Sequence, residues 1–470
     1  MQVKLALPKG QLQESTAELL AKAGCGISDY RDGSRSYRLQ CKVFPGLFIK
    51  VFHEKDIAIQ VAIGNYDLGI CRLDWVEELL VKYHSDAVVK VGDLGYGKRS
   101  LYVVAAGTPG DHSLESLRNS SDDLRIVSEY PNLAESFALK QRLRRFRIFP
   151  VWGAADRYPP ENAEIAIIAE SSLDRVRERG LSPVATLFES SAHLIANRNS
   201  LERKDLGQLL SLLFSVKIED SSVEESQGAG SEAGVRYSGA GETLVSLALP
   251  DGHQQQHTVD LLDRAGLKIE GYNAGAPTRW PRTSIEGIMV KVIRPQDMPF
   301  QVANGNFDLA ITGKDWLCDH RFRFPSSPVE ELLDLGFGKV RIVAVVSSDL
   351  PVSSIDDLKK MKWDSVLRVA SEYVNIADKY THDNHLAPCK IMPTWGASEA
   401  FLPEDADILI ENTETGSTIS KHNLKIVDTL FESSGCLIGN TEAMSCTDKK
   451  EKIDYLVERL RLGVEGVPVS

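Results

Sequence analysis

Short apolar runs alternate with stretches of helical periodicity along most of the chain. VKLALP near the N-terminus is typical of a buried strand, and from Gln11 to Ala23 the residues Leu12, Leu19 and Leu20 recur at helical spacing. Further strand candidates read FIKVF, DLGIC, SLYVVAA, LRIVSEY and EIAIIA, with predicted helices between them. This alternation predicts an α/β fold in which helices flank mostly parallel sheets. Ligands of such folds bind beyond the carboxyl ends of strands, so strand-to-helix turns are the first places to search for a site.

The sequence repeats itself at an offset of about 241 to 243 residues. The clearest pairs are QVAIGNYDLGI (60–70) with QVANGNFDLAI (301–311), DLGYGK (93–98) with DLGFGK (334–339), and TLFESS at both 186–191 and 429–434. Because the repeating units of solenoids are much shorter, this repeat is a duplicated domain.

The stretch between the two copies is acidic and rich in Gly and Ser. Residues 219–242 read EDSSVEESQGAGSEAGVRYSGAGE and contain almost nothing to bury, so ordering them would not be offset by packing. We predict a flexible linker here. The first module then covers residues 1–218 and the second covers residues 243–470.

The composition is that of a globular protein and excludes several classes. Of the 470 residues 43% are hydrophobic and 26% charged, and no apolar run approaches the roughly 20 residues that span a bilayer. Lys plus Arg number 54 and Asp plus Glu 66, so the net charge of -12 argues against a nucleic-acid partner. The seven scattered cysteines form no CxxC pair, and the N-terminus lacks the features of a signal peptide. We expect a cytoplasmic protein with no membrane partner.

The strongest local signal for chemistry is ADILIENTETGSTISKHNL at 406–424. An apolar strand runs into Glu411 and then into a turn of small residues before a predicted helix. Amides of such a turn can bind an anion, and Gly416 lets the backbone approach a phosphate closely. Glu411 and Glu414 would repel a phosphate, so they suit sugar hydroxyls or a magnesium ion. The hydroxyl groups that add donors belong to Thr415, Ser417 and Thr418. A capped helix after a tight turn is the alternative reading of this segment alone.

The first module has the same strand without this chemistry. AEIAIIAESSLDRVRERGL at 163–181 aligns with the segment above without a gap. Ile168 stands in place of the first Glu, Leu173 in place of the Gly, and Asp174 in place of the Ser. A leucine side chain obstructs close approach and an aspartate opposes an anion, so we predict that only the second module binds a phosphate here.

Cations near other strand-to-helix turns also differ between the modules. Arg294 in IRPQDMP and Lys314 in ITGKDW suit phosphate oxygens, and the first module has His53 and Leu73 at these positions. Near the module start the difference is reversed, because LALPKG becomes LALPDG in the second copy. Three further candidate cations of the first module are Lys9, which the second copy replaces by Asp251, and Arg35 and Arg38 in GSRSYR, whose looser counterpart is APTRWPR at 276–282. A solvated surface is the ordinary role of any single Lys or Arg.

Several catalytic motifs are missing from the sequence. The ten histidines form no HExxH pattern, and GxSxG, GxGxxG and GxxxxGK[ST] do not occur. The sequence therefore identifies no metal ligands and favours neither a serine hydrolase nor a dinucleotide-binding protein.

Together, LALPKG, IRPQD, DLAITGKDW, LLDLGFGK and the strand–ETGST–helix turn resemble the ATP phosphoribosyltransferase family, which opens histidine biosynthesis. The resemblance covers both modules and is more specific in the second. It implies two tandem bilobed modules like type II periplasmic binding proteins, with substrates in the cleft between lobes. It also implies magnesium-dependent condensation of ATP with phosphoribosyl pyrophosphate to N1-phosphoribosyl-ATP and pyrophosphate.

The resemblance also assigns roles to residues by motif. Glu411 would meet the ribose hydroxyls and Glu414 to Thr418 would hold the 5-phosphate, while Arg294 would face the triphosphate or the departing pyrophosphate. Further ATP contacts fall on Asp297, Gly313, Lys314 and Arg38, and the catalytic set is Arg294, Glu411, Lys9 and Arg35. Since Lys9 and Arg35 lie in the first module, we expect either that this module contributes cations to one working site or that it is a scaffold or regulatory copy.

The reaction implied fits the residues. Adenine N1 has a lone pair at neutral pH and needs no strong base, whereas charge develops on the ribose and on pyrophosphate and is stabilised by cations and phosphate-binding groups. Residues 447–462 read as one amphipathic helix that completes the second module, as Leu201 to Leu213 does in the first, so no C-terminal regulatory domain is expected. A homo-oligomer or a separate regulatory subunit remains open. The alternative function is a non-catalytic nucleotide- or phosphoribosyl-binding regulatory protein.

Overall fold

The computed structural model describes most of the chain. The described residues are 2–27, 29–31, 36–44, 46–83, 86–107, 113–120, 123–216, 218, 244–273, 281–363, 366–386 and 388–466. Arg35 and the predicted linker at 219–242 lie outside this set, so the linker remains a prediction.

The chain forms two compact units, each of which includes a short segment from the other copy of the repeat. Unit 1 consists of Met1–Pro150, Pro159–Ser226 and Thr394–Ala400, and unit 2 consists of Val151–Tyr158, Gln227–Pro393 and Phe401–Ser470. The module boundaries predicted at 218 and 243 remain a prediction. The two exchanged segments begin VWGA and TWGA, a further matching pair of the repeat, and each lies within the predicted bounds of its own module in sequence.

Unit 1 contains two sheets with helices around them. Its strands are β1 (Val3–Lys9), β2 (Arg38–Gln40), β3 (Leu47–His53), β4 (Leu68–Arg72), β5 (Val88–Asp93), β6 (Arg99–Ala106), β7 (Leu124–Ser128), β8 (Phe146–Pro150), β9 (Ile165–Glu170), β10 (Leu181–Ser190) and β11 (Ala192–Asn197). Its helices are α1 (Gln13–Lys22), α2 (Glu54–Ala62), α3 (Leu73–Lys82), α4 (Leu114–Asn119), α5 (Pro131–Lys140), α6 (Leu173–Glu178), α7 (Arg198–Arg203) and α8 (Gly207–Phe214). The strand orders are β2-β3-β1-β4-β11-β5 and β10-β6-β9-β7-β8.

Unit 2 repeats this plan. Its strands are β12 (Val245–Pro250), β13 (Ile269–Glu270), β14 (Arg282–Thr283), β15 (Ile288–Ile293), β16 (Leu309–Gly313), β17 (Val329–Asp334), β18 (Val340–Ser347), β19 (Leu367–Ser371), β20 (Cys389–Pro393), β21 (Ile408–Thr413), β22 (Leu424–Ser433) and β23 (Gly435–Asn440). Its helices are α9 (His253–Arg264), α10 (Met298–Ala303), α11 (Lys314–Arg323), α12 (Ile355–Lys360), α13 (Val374–Asp383), α14 (Ser417–Lys421), α15 (Thr441–Ser445) and α16 (Thr447–Glu465). Its two main sheets have the orders β15-β12-β16-β23-β17 and β20-β19-β21-β18-β22.

The α/β class and the two-sheet modules are confirmed, but the sheets are mixed and not mostly parallel. In unit 2, β12 pairs in parallel with β15 and β16, whereas β23 runs antiparallel to β16 and β17. In the other sheet β19 pairs in parallel with β20 and β21, and β18 runs antiparallel to β21 and β22. Strands joined by helical crossovers are parallel. The chain passes from one sheet to the other through β18 and β23. In the described part of the chain no helical crossover leads into these strands, and they pair antiparallel with their neighbours.

Each of the four large sheets has its own apolar core, as the predicted strands require. Fully buried members of these cores are Leu5 and Ile70 for the first sheet of unit 1, Ile126 and Ile167 for its second, Val292 and Ile311 for the first sheet of unit 2, and Val369 and Ile410 for its second. None of the helices in the described part of the chain combines the length and hydropathy that a membrane crossing requires.

The ends of the two modules differ from each other. The single helix predicted at 447–462 is confirmed as α16, but Leu201 to Leu213 is divided between α7 and α8. The break falls at Lys204, whose backbone is extended and whose amino group lies 2.7 Å from Asp67. In unit 2 Lys449 makes the equivalent ion pair with Asp308 at 2.8 Å from within the first turns of α16. The ion pair is therefore common to both copies, whereas the continuous helix is not.

Candidate active site

In unit 2 the predicted phosphate turn joins β21 to α14. Gly416 has a φ of 76° and immediately precedes the helix. Its N–H donates to the Thr413 hydroxyl at 2.9 Å, and a Cβ built on it would meet only Ile426, at 3.7 Å. Glycine is therefore required by the left-handed backbone and not by crowding. Glu414, Thr415, Ser417 and Thr418 are exposed around it, so the turn presents hydroxyls and backbone to solvent.

Glu411 lies in β21, before the turn, and is half-buried. Its Oε1 accepts from the N–H of Asn412 at 3.1 Å. Strand β21 is central in its sheet, between β19 and β18, which fixes the backbone from which this carboxylate projects. The strand extends two residues beyond Glu411, to Thr413, and the role of this carboxylate remains a prediction.

Unit 1 has a self-contained turn at the equivalent position. Between β9 and α6 the Ser172 side chain caps the helix by accepting from the N–H of Arg175 at 3.3 Å. Leu173 occupies the position of Gly416 and is exposed, and Glu170 is paired with Arg179. The helix start in unit 1 is therefore capped by its own side chain, and an aliphatic group covers the surface that unit 2 leaves open.

A second difference between the units concerns buried charge. In unit 1 Arg72 lies 2.9 Å from Glu54 and also donates to the Gly97 carbonyl at 3.2 Å. Arg99 lies 2.6 Å from Asp74. These four side chains are buried or nearly so. At the aligned positions unit 2 has Pro295, Gly313 and Val340 in place of Glu54, Arg72 and Arg99. Unit 1 thus buries two ion pairs, and unit 2 has uncharged residues at three of the four positions.

Sequence reasoning missed these ion pairs, although the repeat carried a signal for them. A charged residue in one copy facing Pro, Gly or Val in the other occurs three times around the motifs already singled out. Arg72, for example, lies in ICRLDW (70–75), directly before Leu73, the residue aligned with Lys314 of ITGKDW. Single positions did not show that these residues meet, because 18 residues separate Arg72 from Glu54 and 25 separate Arg99 from Asp74.

Arg294 follows β15 and is substantially exposed, with 46% of its side chain accessible. Its Nη1 lies 3.3 Å from Asp251, the residue that replaces Lys9 in the second copy. The aligned residue in unit 1, His53, has its pKa lowered to about 4, first by burial and then by the nearby Lys55, Lys9 and Arg99. Position 294 therefore carries a permanent positive charge where unit 1 has a neutral imidazole.

The segment Val151–Tyr158 of unit 2 contacts the residues that follow β15. The N–H of Trp152 donates to both carboxylate oxygens of Asp297, at 2.9 and 3.1 Å. A Cβ on Gly153 would lie 3.1 Å from the Nε of Arg294. Asp297 is almost fully buried, so its carboxylate anchors this segment, a role that the sequence did not suggest.

Lys314 begins α11 and is engaged by acidic neighbours. Its amino group lies 2.8 Å from Glu331 and 2.9 Å from Asp334. Burial acts against its charge, but the hydrogen bonds to these carboxylates prevail and raise its pKa. Gly313 precedes it, and a Cβ there would clash with Asp315. This glycine is required by packing.

The cations predicted in the first copy lie in unit 1. Lys9 is at the end of β1, with its amino group 3.3 Å from the Tyr37 hydroxyl and 5.0 Å from the centre of that ring. Arg38 begins β2 and is exposed. Tyr37, which Lys9 contacts, directly precedes Arg38 in the chain, and Arg35 lies outside the described residues. The described residues contain no cluster of three or more His, Cys, Asp or Glu side chains that could hold a metal ion.

Fold and site together define a duplicated α/β protein in which one copy has an exposed turn of amides and hydroxyls suited to an anion, next to a half-buried carboxylate. The family description "HisG: ATP phosphoribosyltransferase" matches residues 53–215 and 294–462. The chain therefore belongs to the ATP phosphoribosyltransferase family, and is a nucleotide-binding transferase of histidine biosynthesis.

The chain is similar to a named member of this family and, more weakly, to two solved structures. The ATP phosphoribosyltransferase of Prosthecochloris aestuarii is 32% identical over 227 residues, which are 47% of this chain and 72% of the relative. Among solved structures, the ATP phosphoribosyl transferase (HisG:HisZ) complex from Thermotoga maritima is 21% identical, with a TM-score of 0.39 over 47% of this chain and 99% of that one. The periplasmic aliphatic sulphonate binding protein SsuA from Escherichia coli is 12% identical, with a TM-score of 0.29 over 47% and 72%.

Proposed function

We propose that unit 2 transfers the 5-phosphoribosyl group of phosphoribosyl pyrophosphate to N1 of ATP and releases pyrophosphate, the first step of histidine biosynthesis. The observation that carries the proposal is the contrast at one turn. Gly416 keeps an open left-handed turn in unit 2, in the segment that follows Glu411, whereas unit 1 has a side-chain cap and Leu173 at the equivalent turn.

The reaction forms one bond and breaks one bond. The lone pair of adenine N1 attacks the anomeric carbon, and the bond from that carbon to the pyrophosphate oxygen breaks, with the electron pair leaving on pyrophosphate. No proton has to move for this exchange. The ribose becomes positively charged on the way and the leaving group becomes more negative, so groups placed in advance for these charges lower the barrier.

The residues of unit 2 take roles that fit these charges. Amides and hydroxyls of Glu414 to Thr418 bind the 5-phosphate, and Glu411 accepts hydrogen bonds from the ribose hydroxyls while facing the developing positive charge. Arg294 faces the triphosphate or pyrophosphate; its exposed guanidinium can exchange Asp251 for a phosphate oxygen. We propose Gly313 and Lys314 as ATP contacts on the same ground, although Lys314 must first release Glu331 or Asp334.

A magnesium ion fits the site only as a companion of the substrate phosphates. The described residues offer no three-ligand cluster, so Glu411 or Glu414 would complete a coordination shell made mainly of phosphate oxygens and water. When bound, the metal would neutralise the charge of the departing pyrophosphate. We also propose that the protein works in the cytoplasm, and that a second copy or a regulatory subunit is a partner.

Pyrophosphate release tests the proposal directly. Protein mixed with ATP, phosphoribosyl pyrophosphate and magnesium should release pyrophosphate, and omission of any one of the three should abolish it. Gly416→Leu should remove the activity because it closes the turn, whereas the matched change Leu173→Gly in unit 1 should leave it intact. If Gly416→Leu were as active as the unchanged protein, the turn would not be the phosphate site.

The same assay separates the alternative function and the predicted contribution of the first copy. Binding of phosphoribosyl pyrophosphate without pyrophosphate release would favour a non-catalytic regulatory protein. Lys9→Ala, Arg35→Ala and Arg38→Ala report whether the cations of the first copy matter. Unchanged turnover and affinity in all three would leave the first copy the role of scaffold, which the buried ion pairs of unit 1 already favour.

A further inference from the structure

In unit 2 a chain of hydrogen bonds connects a buried carboxylate to the strand that bears Glu411. The Tyr373 hydroxyl donates to Asp315 Oδ2 at 2.6 Å and accepts from Asn412 Nδ2 at 2.7 Å. Asn412 is the next residue after Glu411 in β21, and its N–H contacts the Glu411 carboxylate. The polarity of the chain is fixed, because an ionised carboxylate only accepts and an amide nitrogen only donates.

The inner end of this chain is rigid. The other oxygen of Asp315 accepts from the Ser433 hydroxyl at 2.8 Å, and Ser433 in turn accepts from the N–H of Asp315. Tyr373 is fully buried, and its ring lies 4.3 Å from that of Trp316. Asp315 lies in the first turn of α11, which follows β16 of the first sheet of unit 2, whereas Tyr373 follows β19 and Asn412 lies in β21, both of the second sheet. The chain therefore ties the two sheets of unit 2 together beside Glu411.

Unit 1 keeps the inner parts and lacks the connection. Asp74 and Tyr130 occupy the positions of Asp315 and Tyr373, and the Tyr130 ring is again 4.3 Å from its tryptophan neighbour. There, however, Arg99 lies between them, with Nε on Asp74 and Nη2 on the tyrosine hydroxyl at 2.8 Å. The residue at the position of Asn412 is Ala169, which has no amide to donate. Unit 1 therefore lacks both the last link of the hydrogen-bond chain and the carboxylate of Glu411, whose position is taken by Ile168.

The hydrogen-bond chain also differs between the units in its charged groups. In unit 2 the aligned residue for Arg99 is Val340, and in the described part of the unit the partners of the Asp315 carboxylate are hydroxyl and N–H groups and not a cation. Burial raises the pKa of Asp315, so keeping this charge costs stability. A carboxylate that is expensive to bury and linked to the site in only one copy is suited to a role in the reaction.

We propose that Asp315, acting through Tyr373 and Asn412, is a positioning residue that holds Glu411 in the orientation needed for phosphoribosyl transfer. The inference rests on the proposed function of unit 2. A displacement of about 1 Å in a catalytic group can slow a reaction by as much as a hundredfold. Cutting the chain at one hydroxyl should have a smaller effect, about tenfold in kcat. The phosphate turn itself is not part of the chain, so the KM for phosphoribosyl pyrophosphate should change less than about twofold.

The test removes single links and uses unit 1 as the control. Tyr373→Phe keeps the ring and removes the hydroxyl, and it should lower kcat about tenfold with KM nearly unchanged. Asn412→Ala, at an exposed position, should do the same and guards against a folding defect in the core variant. Val340→Arg introduces the cation of unit 1 and should also lower kcat. Tyr130→Phe, the matched change in unit 1, should leave kcat and KM as they are.

The outcomes are distinguishable from failure of the function itself. If the unchanged protein releases no pyrophosphate, the proposed function fails and the positioning role fails with it. If the unchanged protein is active and both Tyr373→Phe and Asn412→Ala retain its kcat, only the positioning role is wrong. A rise in KM with kcat unchanged would also overturn the positioning role, and so would an equal fall of kcat in Tyr130→Phe. A purely structural defect would produce either result.

Discussion

Replacing Gly416 by Ala separates the conformational demand of the phosphate turn from its steric demand. A Cβ at this position would lie 3.7 Å from Ile426, an ordinary contact, so no clash is expected. The cost arises from the φ of 76°, which L-residues adopt at a penalty of about 1 kcal/mol. The free energy of unfolding of unit 2 should fall by about that amount if the turn keeps its shape.

The same energy predicts the effect on substrate. If the turn relaxes in the absence of ligand, phosphoribosyl pyrophosphate must restore it, and about 1 kcal/mol corresponds to roughly a fivefold rise in KM with little change in kcat. Steady-state pyrophosphate release at varied phosphoribosyl pyrophosphate measures this, and chemical denaturation measures stability.

A matched control exists in the same unit. Gly466 ends α16 with a φ of 70° and has no atom within 4 Å of a built Cβ. Gly466→Ala should lower stability by a similar amount and leave KM unchanged. The reasoning is refuted if Gly416→Ala changes neither the free energy of unfolding nor the KM for phosphoribosyl pyrophosphate.

Three further predictions concern positions outside the turn. Burial raises the pKa of Glu78 from 4.5 to about 7. The free energy of unfolding should therefore fall by about 3 kcal/mol as pH rises from 4.5 to 7, because only the folded protein keeps this proton. Glu78→Gln should flatten that part of the pH–stability curve. Arg99→Val leaves a buried carboxylate without its cation and should cost about 3 kcal/mol in denaturation experiments, and a loss near zero would contradict this. Gly153→Leu should displace Arg294, whose Nε is 3.1 Å from a built Cβ, and lower kcat/KM at least about tenfold, whereas Gly46→Leu, in open space, should not.

Much of the fold was predictable from local pattern. The runs VKLALP and EIAIIA became β1 and β9, and the residues from Gln11 to Ala23 contain α1. Periodicity reports which side of an element is buried, and burial is a property of single elements. Strand direction depends on pairs of elements and not on single ones. For this reason the sheets were expected to be mostly parallel, whereas they are mixed. Pairing of β18 or β23 depends on how the chain travels between sheets, and alternation of strands and helices does not record that path.

In the candidate site, too, the features within one stretch of sequence were predicted and the contacts between distant residues were not. The turn at Gly416 and the carboxylate of Glu411 were predicted because all their parts are contiguous in sequence. The engagement of Lys314 by Glu331 and Asp334, and of Asp297 by Trp152, was not predicted. These partners are separated from each other by many residues, so only folding reveals whether a cation or carboxylate is already committed.

By itself the sequence determined the duplication, the α/β class and the family, and it predicted which copy has the phosphate turn, because each is carried by residue types at fixed spacing. Tertiary structure alone decided that Arg72 and Arg99 form buried pairs in unit 1 and that Tyr373 links Asp315 to Asn412 in unit 2. It also decided that residues 151–158 belong to unit 2. Hydrogen bonds and ion pairs act over about 3 Å in space, and side chains 39 or 58 positions apart reach that distance only when the sheets have formed.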